Sequence, residues 1–135
     1  MICGGNATVF VSNMDAAIRF YTDTLGLKLT NRFGDSWATV QAGAGLTIGL
    51  HPASPKYPAP GTKGSMILGL EIDEPIAGVI SRLSEKGVQF GPVVRDAPGA
   101  FVGFEDPDGN GICLWEVNRD AVPETELAGV GSAKP

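Results

Sequence analysis

The chain has 135 residues, 43% of them hydrophobic, and 15 acidic against 10 basic side chains, a formal charge of −5. That length suits one compact domain, and no apolar run reaches membrane-spanning length. The charge lies scattered with no basic run, which speaks against nucleic acid as a partner, because phosphate binding needs clustered Lys and Arg.

Cys3 and Cys113 lie far apart and form no CxxC, so neither a zinc knuckle nor a disulfide framework is indicated. The opening MICGGNATVF lacks the basic and apolar regions of a secretory signal, and the expected location is the cytoplasm. An acidic surface aids solubility and would favour a cationic ligand over an anionic one.

Ala7 to Val11 is a short β-prone run, and Asn13 is placed to cap a helix whose Met14, Ala17, Ile18, Tyr21 and Leu25 share one face. Asp15 and Arg19, four apart, form a supporting ion pair on its other face, and Gly26 ends it. Three strands follow at Lys28–Phe33, Ser36–Ala42 and Leu46–His51, punctuated by Gly34-Asp35 and Gly43-Ala44-Gly45. Residues 52–64, PASPKYPAPGTKG, carry four prolines and read as an extended connector. Met66 to Ile72 is a strand, Asp73 the expected N-cap with Pro75 in the first turn, and Ile76, Val79, Ile80 and Leu83 the apolar stripe of a helix ended by Gly87. Strands are expected at Val88–Val94, Gly99–Glu105 and Asn110–Val117. The last two flank Asp-Pro-Asp-Gly-Asn, a cluster of turn formers that closes a hairpin. Its acidic residues are too few for a calcium loop, which needs a longer ligand set and a distal Glu.

The order βαβββ occurs twice. Val11 matches Ile72, Ile18 matches Val79 and Gly26 matches Gly87 at an offset of 61 (11 to 72), and at the last strand IGLH overlays ICLW at an offset of 64 (48 to 112). The fold class expected is α+β: tandem βαβββ modules forming a curved eight-stranded mixed sheet around a concave cavity, with helices on the outer face. The modules span 1–51 and 65–118, the connector 52–64, and a loosely held tail 119–135.

The tandem repeat, the Phe20-Tyr21 pair before Leu25-Gly26-Leu27 within NMDAAIRFYTDTLGLKL, and the hairpin FVGFEDPDGNGICLWE together resemble the vicinal oxygen chelate superfamily. That superfamily includes glyoxalase I, extradiol dioxygenases, fosfomycin-modifying enzymes and bleomycin resistance proteins, and the resemblance covers about Asn6 to Asn118. It implies a divalent metal held by one residue from the first and one from the last strand of each module. Those positions are Asn6, Gly49, Ile67 and Cys113 here. Gly and Ile have no donor atoms and Asn is a weak ligand, so Cys113 would stand alone. A one-residue slip to Met66, Ile48, Leu50 or Ile112 offers nothing better. No metal and no other cofactor is expected.

Strand alternation lists what would line the concavity: Asn6, Thr8, Phe10, Gly49, His51, Ile67, Glu71, Cys113 and Trp115, with Trp37 and Phe101 joining if their strands have the right parity. His51, the single histidine, is a candidate proton shuttle or ligand, or a hydrogen-bonded strand-end residue. Glu71 is a candidate base or cation anchor, or a carboxylate near enough to the strand end to reach water. Tyr57 of the connector either closes over a ligand or packs locally. The leading reading is a bleomycin-resistance-like protein that binds a small apolar or aromatic molecule, cationic groups being allowed, and that forms a homodimer. The alternatives are a glyoxalase- or dioxygenase-type enzyme using His51, Glu71 and Glu116 for metal, or Glu71 and His51 for acid–base chemistry, and a protein-interaction module.

Overall fold

The computed structural model describes residues 1, 5–63, 66–96 and 99–117. The elements run β1 (Ala7–Val11), α1 (Met14–Arg19), β2 (Lys28–Phe33), β3 (Trp37–Ala42), β4 (Leu46–Pro52), β5 (Ile67–Ile72), α2 (Ile76–Glu85), β6 (Val94–Asp96), β7 (Gly99–Glu105) and β8 (Gly111–Val117). The order βαβββ is present twice, and the architecture is α+β. Hydrogen bonding divides the eight strands into two open sheets of four, ordered β1-β4-β3-β2 and β5-β8-β7-β6. The pairs β1–β4 and β5–β8 are parallel and the remainder antiparallel. The tail from residue 119 and Cys3 lie outside the described residues, and no described helix is long and apolar enough to cross a membrane.

The repeat carries through to the pairing. Thr8 faces Gly49, and Gly49 faces Thr39. Gly69 faces Cys113, and Cys113 faces Gly103, the same register under the two offsets read from the sequence. Two compact units result. One comprises the described residues of 1–63 with 106–110, the other those of 64–105 with 111–117. In the first, α1 buries Met14, Ala17 and Ile18 on the sheet face formed by Val9, Val11, Ala38, Val40, Ile48 and Leu50. In the second, Ile76 and Val79 of α2 are buried along with Leu68, Leu70, Ala100, Val102, Phe104, Ile112 and Leu114. Each such aliphatic side chain contributes about 1.5–3 kcal/mol by leaving water.

Local chemistry sets several boundaries away from the expected ones. Asn13 caps α1 as foreseen, accepting from Ala16 N at 2.9 Å. The helix then widens into a π-turn over Phe20–Thr24, with Leu25 N bonding Phe20 O at 3.0 Å, and Leu25 ends half-buried. Asp15 pairs with Arg32 of β2 at 2.7 Å rather than with Arg19, because the guanidinium reaches it from the neighbouring strand. That hydrogen bond and charge hold the Asp15 carboxyl below its ordinary 3.8. The contribution of this exposed pair is therefore present above that value and lost as pH falls through the depressed one. Asp73 is not the cap of α2. Pro75 occupies the N-cap position, and the first helical N–H, from Ile76, is donated to Glu116 Oε1 at 2.9 Å. The strand expected at Val88–Val94 shrinks to Val94–Asp96, since Pro92 has no N–H to continue a ladder. Gly91 N still reaches Gly103 O at 2.9 Å.

The Asp106–Asn110 turn belongs to the first unit and is organised by one buried carboxylate. Asp106 Oδ1 accepts from Asp108 N and Asn110 N, both at 2.9 Å. Its Oδ2 accepts from the buried Tyr21 hydroxyl at 2.9 Å and from Asn110 Nδ2 at 2.8 Å. Burial and the adjacent Asp106 charge push the Tyr21 phenol far above its ordinary range, so it remains a donor. Gly109 alone of this turn uses positive φ, at 88°. Tyr21→Phe is expected to cost about 1.5–3 kcal/mol, the worth of one hydrogen bond to a charged group. Asp106→Ala, which strands every donor at once, is expected to cost more than about 3 kcal/mol. Urea midpoints of the two variants check the order, and an equal or reversed order would contradict this account.

Candidate functional site

In each unit the helix covers one face of the sheet, and most of the strand residues singled out from the sequence occupy the other. In the first unit, Phe10 lies opposite His51, Thr8 opposite Gly49, and Thr39 opposite Gly49 on the other side. Trp37 is two residues before Thr39 and therefore shares this face. Four rings gather here. Phe10 stacks on Tyr57 (centroids 4.6 Å, planes 22° apart), and His51 stands edge-on to Phe10 at 5.4 Å, to Tyr57 at 5.3 Å and to Trp37 at 6.3 Å. Tyr57 of the proline-rich connector is thus part of the cluster.

Gly49 explains how Trp37 fits. A Cβ at this position would meet the indole, 2.9 Å from Cζ2 and closer still to Cη2. The glycine is the notch into which the tryptophan ring sits. Several polar groups of the face are paired. Thr8 Oγ1 donates to Asn6 Oδ1 at 3.0 Å, Thr47 Oγ1 donates to Gln41 Oε1 at 2.7 Å, and the Thr30 and Thr39 hydroxyls lie 2.7 Å apart. His51 Nδ1 lies 2.8 Å from Pro52 O.

The second unit places Phe101 opposite Trp115 and Gly103 opposite Cys113, so Phe101 also has the parity that the sequence left open. The Phe101 and Trp115 rings are parallel within 3° at 6.0 Å. Trp115 is buried, and its Nε1 has no hydrogen-bond partner among the described residues. Cys113 is half-buried, and burial pushes its thiol up, so it stays protonated near neutrality. Ile67 is 69% exposed, and Glu71 is exposed as well. Glu71 and His51 fall in different units. Glu116, named for a metal, instead caps α2 and lines a depression of about 610 Å³ with Asp73, Glu74, Arg95 and Asp96.

The family model for the glyoxalase/bleomycin resistance protein/dioxygenase superfamily matches residues 5–114. The chain belongs to that superfamily. Among solved structures it is similar to TnmS3, an antibiotic binding protein from Streptomyces sp. CB03234, at 29% identity and TM-score 0.70, covering 87% of this chain and 99% of that one. A glyoxalase/bleomycin resistance protein from the same organism is 32% identical with a TM-score of 0.65, over 82% and 99% of the two chains. A superfamily member from Sphaerobacter thermophilus DSM 20745 is 27% identical with a TM-score of 0.70, over 86% and 98%. No functionally curated protein shows a significant match.

Membership makes the donor set at the four positions that the resemblance implies for a metal a question of chemistry. Asn6 Oδ1 accepts from Thr8, Gly49 has no side chain and its free space is filled by an indole, and Ile67 is apolar. Cys113 alone carries a side chain that binds such ions well, and one ligand holds nothing. Among the described residues no three His, Cys, Asp or Glu side chains stand where they could hold one ion. These residues do not fit a divalent metal.

The Gly49–Trp37 notch was missed from sequence, because only the strand pairing shows which ring lies over which Cα. Gly49→Ala is expected to displace the indole, shift its fluorescence and cost about 1–3 kcal/mol. Most of that loss should vanish in a Trp37→Leu background. An additive double-mutant cycle would contradict the notch. In a Cys3→Ser background, Cys113 is expected to react with thiol reagents at pH 8 more slowly than free cysteine.

Proposed function

We propose that this protein is a binding member of the superfamily that holds a small planar, apolar or aromatic molecule without the usual metal. The observation that carries the reading is the Trp37 indole seated over Gly49, where the superfamily would place a metal donor, within the cluster of Phe10, His51 and Tyr57. One module has aromatic surface at the place of a ligand atom. Such surface binds flat molecules by stacking and by apolar burial, and a cationic group gains further from ring faces. The similarity to an antibiotic binding protein supports the same reading. Phe101 and Trp115 provide a second pair of parallel rings in the other unit.

Both tryptophans of the chain, Trp37 and Trp115, lie on the faces concerned, so intrinsic fluorescence reports binding directly. Titration of tag-free protein with planar aromatic and cationic compounds is expected to give saturable quenching, and Trp37→Ala to weaken the best ligand about tenfold, the loss of roughly 1.4 kcal/mol. Metal content after dialysis and after exposure to Ni²⁺, Zn²⁺, Mn²⁺ or Fe²⁺ is expected to stay near zero. One tightly held ion per chain would overturn the metal-free reading.

A homodimer is part of the proposal. Every residue of the edge strand β2 is exposed, including Leu29 at 41% and Phe33 at 61%, and such edges are ordinarily covered. Light scattering at micromolar concentration is expected to give twice the chain mass.

A further inference from the structure

The aromatic cluster of the first unit has a polar centre, and its chemistry selects among flat ligands. His51 Nδ1 lies 2.8 Å from Pro52 O, and a carbonyl oxygen only accepts. In the neutral ring the proton therefore sits on Nδ1, and Nε2 carries the lone pair. No described residue is hydrogen-bonded to Nε2. The ring is held by that backbone bond and by edge contacts with Phe10, Tyr57 and Trp37, so the lone pair keeps a fixed direction inside an aromatic frame. Elsewhere in this unit Thr8 donates to Asn6, Thr47 donates to Gln41, and the Thr30 and Thr39 hydroxyls pair.

We propose that His51 is the specificity-determining residue of this face, and that its Nε2 accepts a hydrogen bond from a phenolic O–H or ring N–H at the edge of a flat aromatic ligand. The inference rests on the binding function proposed above and names the ligand class: an aromatic donor rather than an aromatic ether or ketone. An aromatic that brings only acceptors leaves Nε2 without a partner when it excludes water. A donor at the same edge satisfies it, a difference that general hydrogen-bond energetics puts at about five- to tenfold in affinity.

The test uses 2-naphthol and 2-methoxynaphthalene, which share a ring system and differ in the donor. The quantity read is the preference, the ether's Kd divided by the phenol's, for tag-free wild type, His51→Phe and His51→Gln. Wild type is expected to prefer the phenol about five- to tenfold more than His51→Phe does, because phenylalanine keeps a ring and removes the acceptor. His51→Gln, whose Oε1 can stand near the place of Nε2, is expected to restore part of the preference. Since the chain has one histidine, ¹⁵N-histidine NMR at a pH where the ring is neutral gives the tautomer without ambiguity. It is expected to show protonated Nδ1 and unprotonated Nε2, and the Nε2 signal should move on adding 2-naphthol and stay in place with the ether.

Equal binding of both probes by wild type, or a free protein with the proton on Nε2, overturns this inference and leaves the binding function standing. A preference that survives in His51→Phe does the same. Binding of neither probe overturns the inference and, if the wider panel also fails, the function beneath it.

Discussion

The buried carboxylate of Asp106 is the interaction on which the first unit and its aromatic face depend. A carboxylate taken out of water is costly unless all its lone pairs are used, and here both oxygens are saturated by Tyr21, Asp108 and Asn110. The consequences spread through Asn110. Its side-chain amide, already bonded to Asp106, also donates to Phe10 O at 3.0 Å, and its Oδ1 accepts from Gly61 N at 3.0 Å. Phe10 is one ring of the cluster, and Gly61 anchors the connector that brings Tyr57 onto it. A Cβ at Gly61, whose φ is 77°, would run into Asp108 O, so only glycine allows this approach. A turn that appears from sequence to be simple punctuation thus positions two of the four rings.

The same unit shows how a glycine in one strand decides where a ring of the next strand lies. A duplicated βαβββ chain presents equivalent positions twice, and at one of them Gly49 has removed the side chain altogether. The space beside it is filled by Trp37 from the neighbouring strand. Its counterpart Cys113 keeps a side chain flanked by Gly103, and there the equivalent rings, Phe101 and Trp115, stack in parallel. The two units thus present different aromatic arrangements on equivalent strands.

Much of the fold is legible in the sequence. Asn13 as cap, Gly26 and Gly87 as helix stops with positive φ, and the offsets of 61 and 64 all follow from local chemistry or self-similarity, and the strand registers repeat them. The failures share a cause. Asp73 as a cap and Val88–Val94 as a strand were read from residue types near Pro75 and Pro92. Each proline moved the boundary, by holding the chain extended before α2 and by removing a ladder donor before β6. The Asp15–Arg19 pair was locally reasonable, and a strand distant in sequence supplied Arg32 instead.

What the sequence alone determined was the module and its duplication, because periodicity and turn chemistry are properties of residues taken one at a time or at fixed spacing. What only the tertiary structure decided was which side chains meet: Trp37 over Gly49, Tyr57 on Phe10, Tyr21 on Asp106, and His51 Nδ1 on Pro52 O. Those contacts join strands, a connector and a turn up to 85 residues apart, and their geometry depends on sheet register and backbone direction together. No local pattern contains that information.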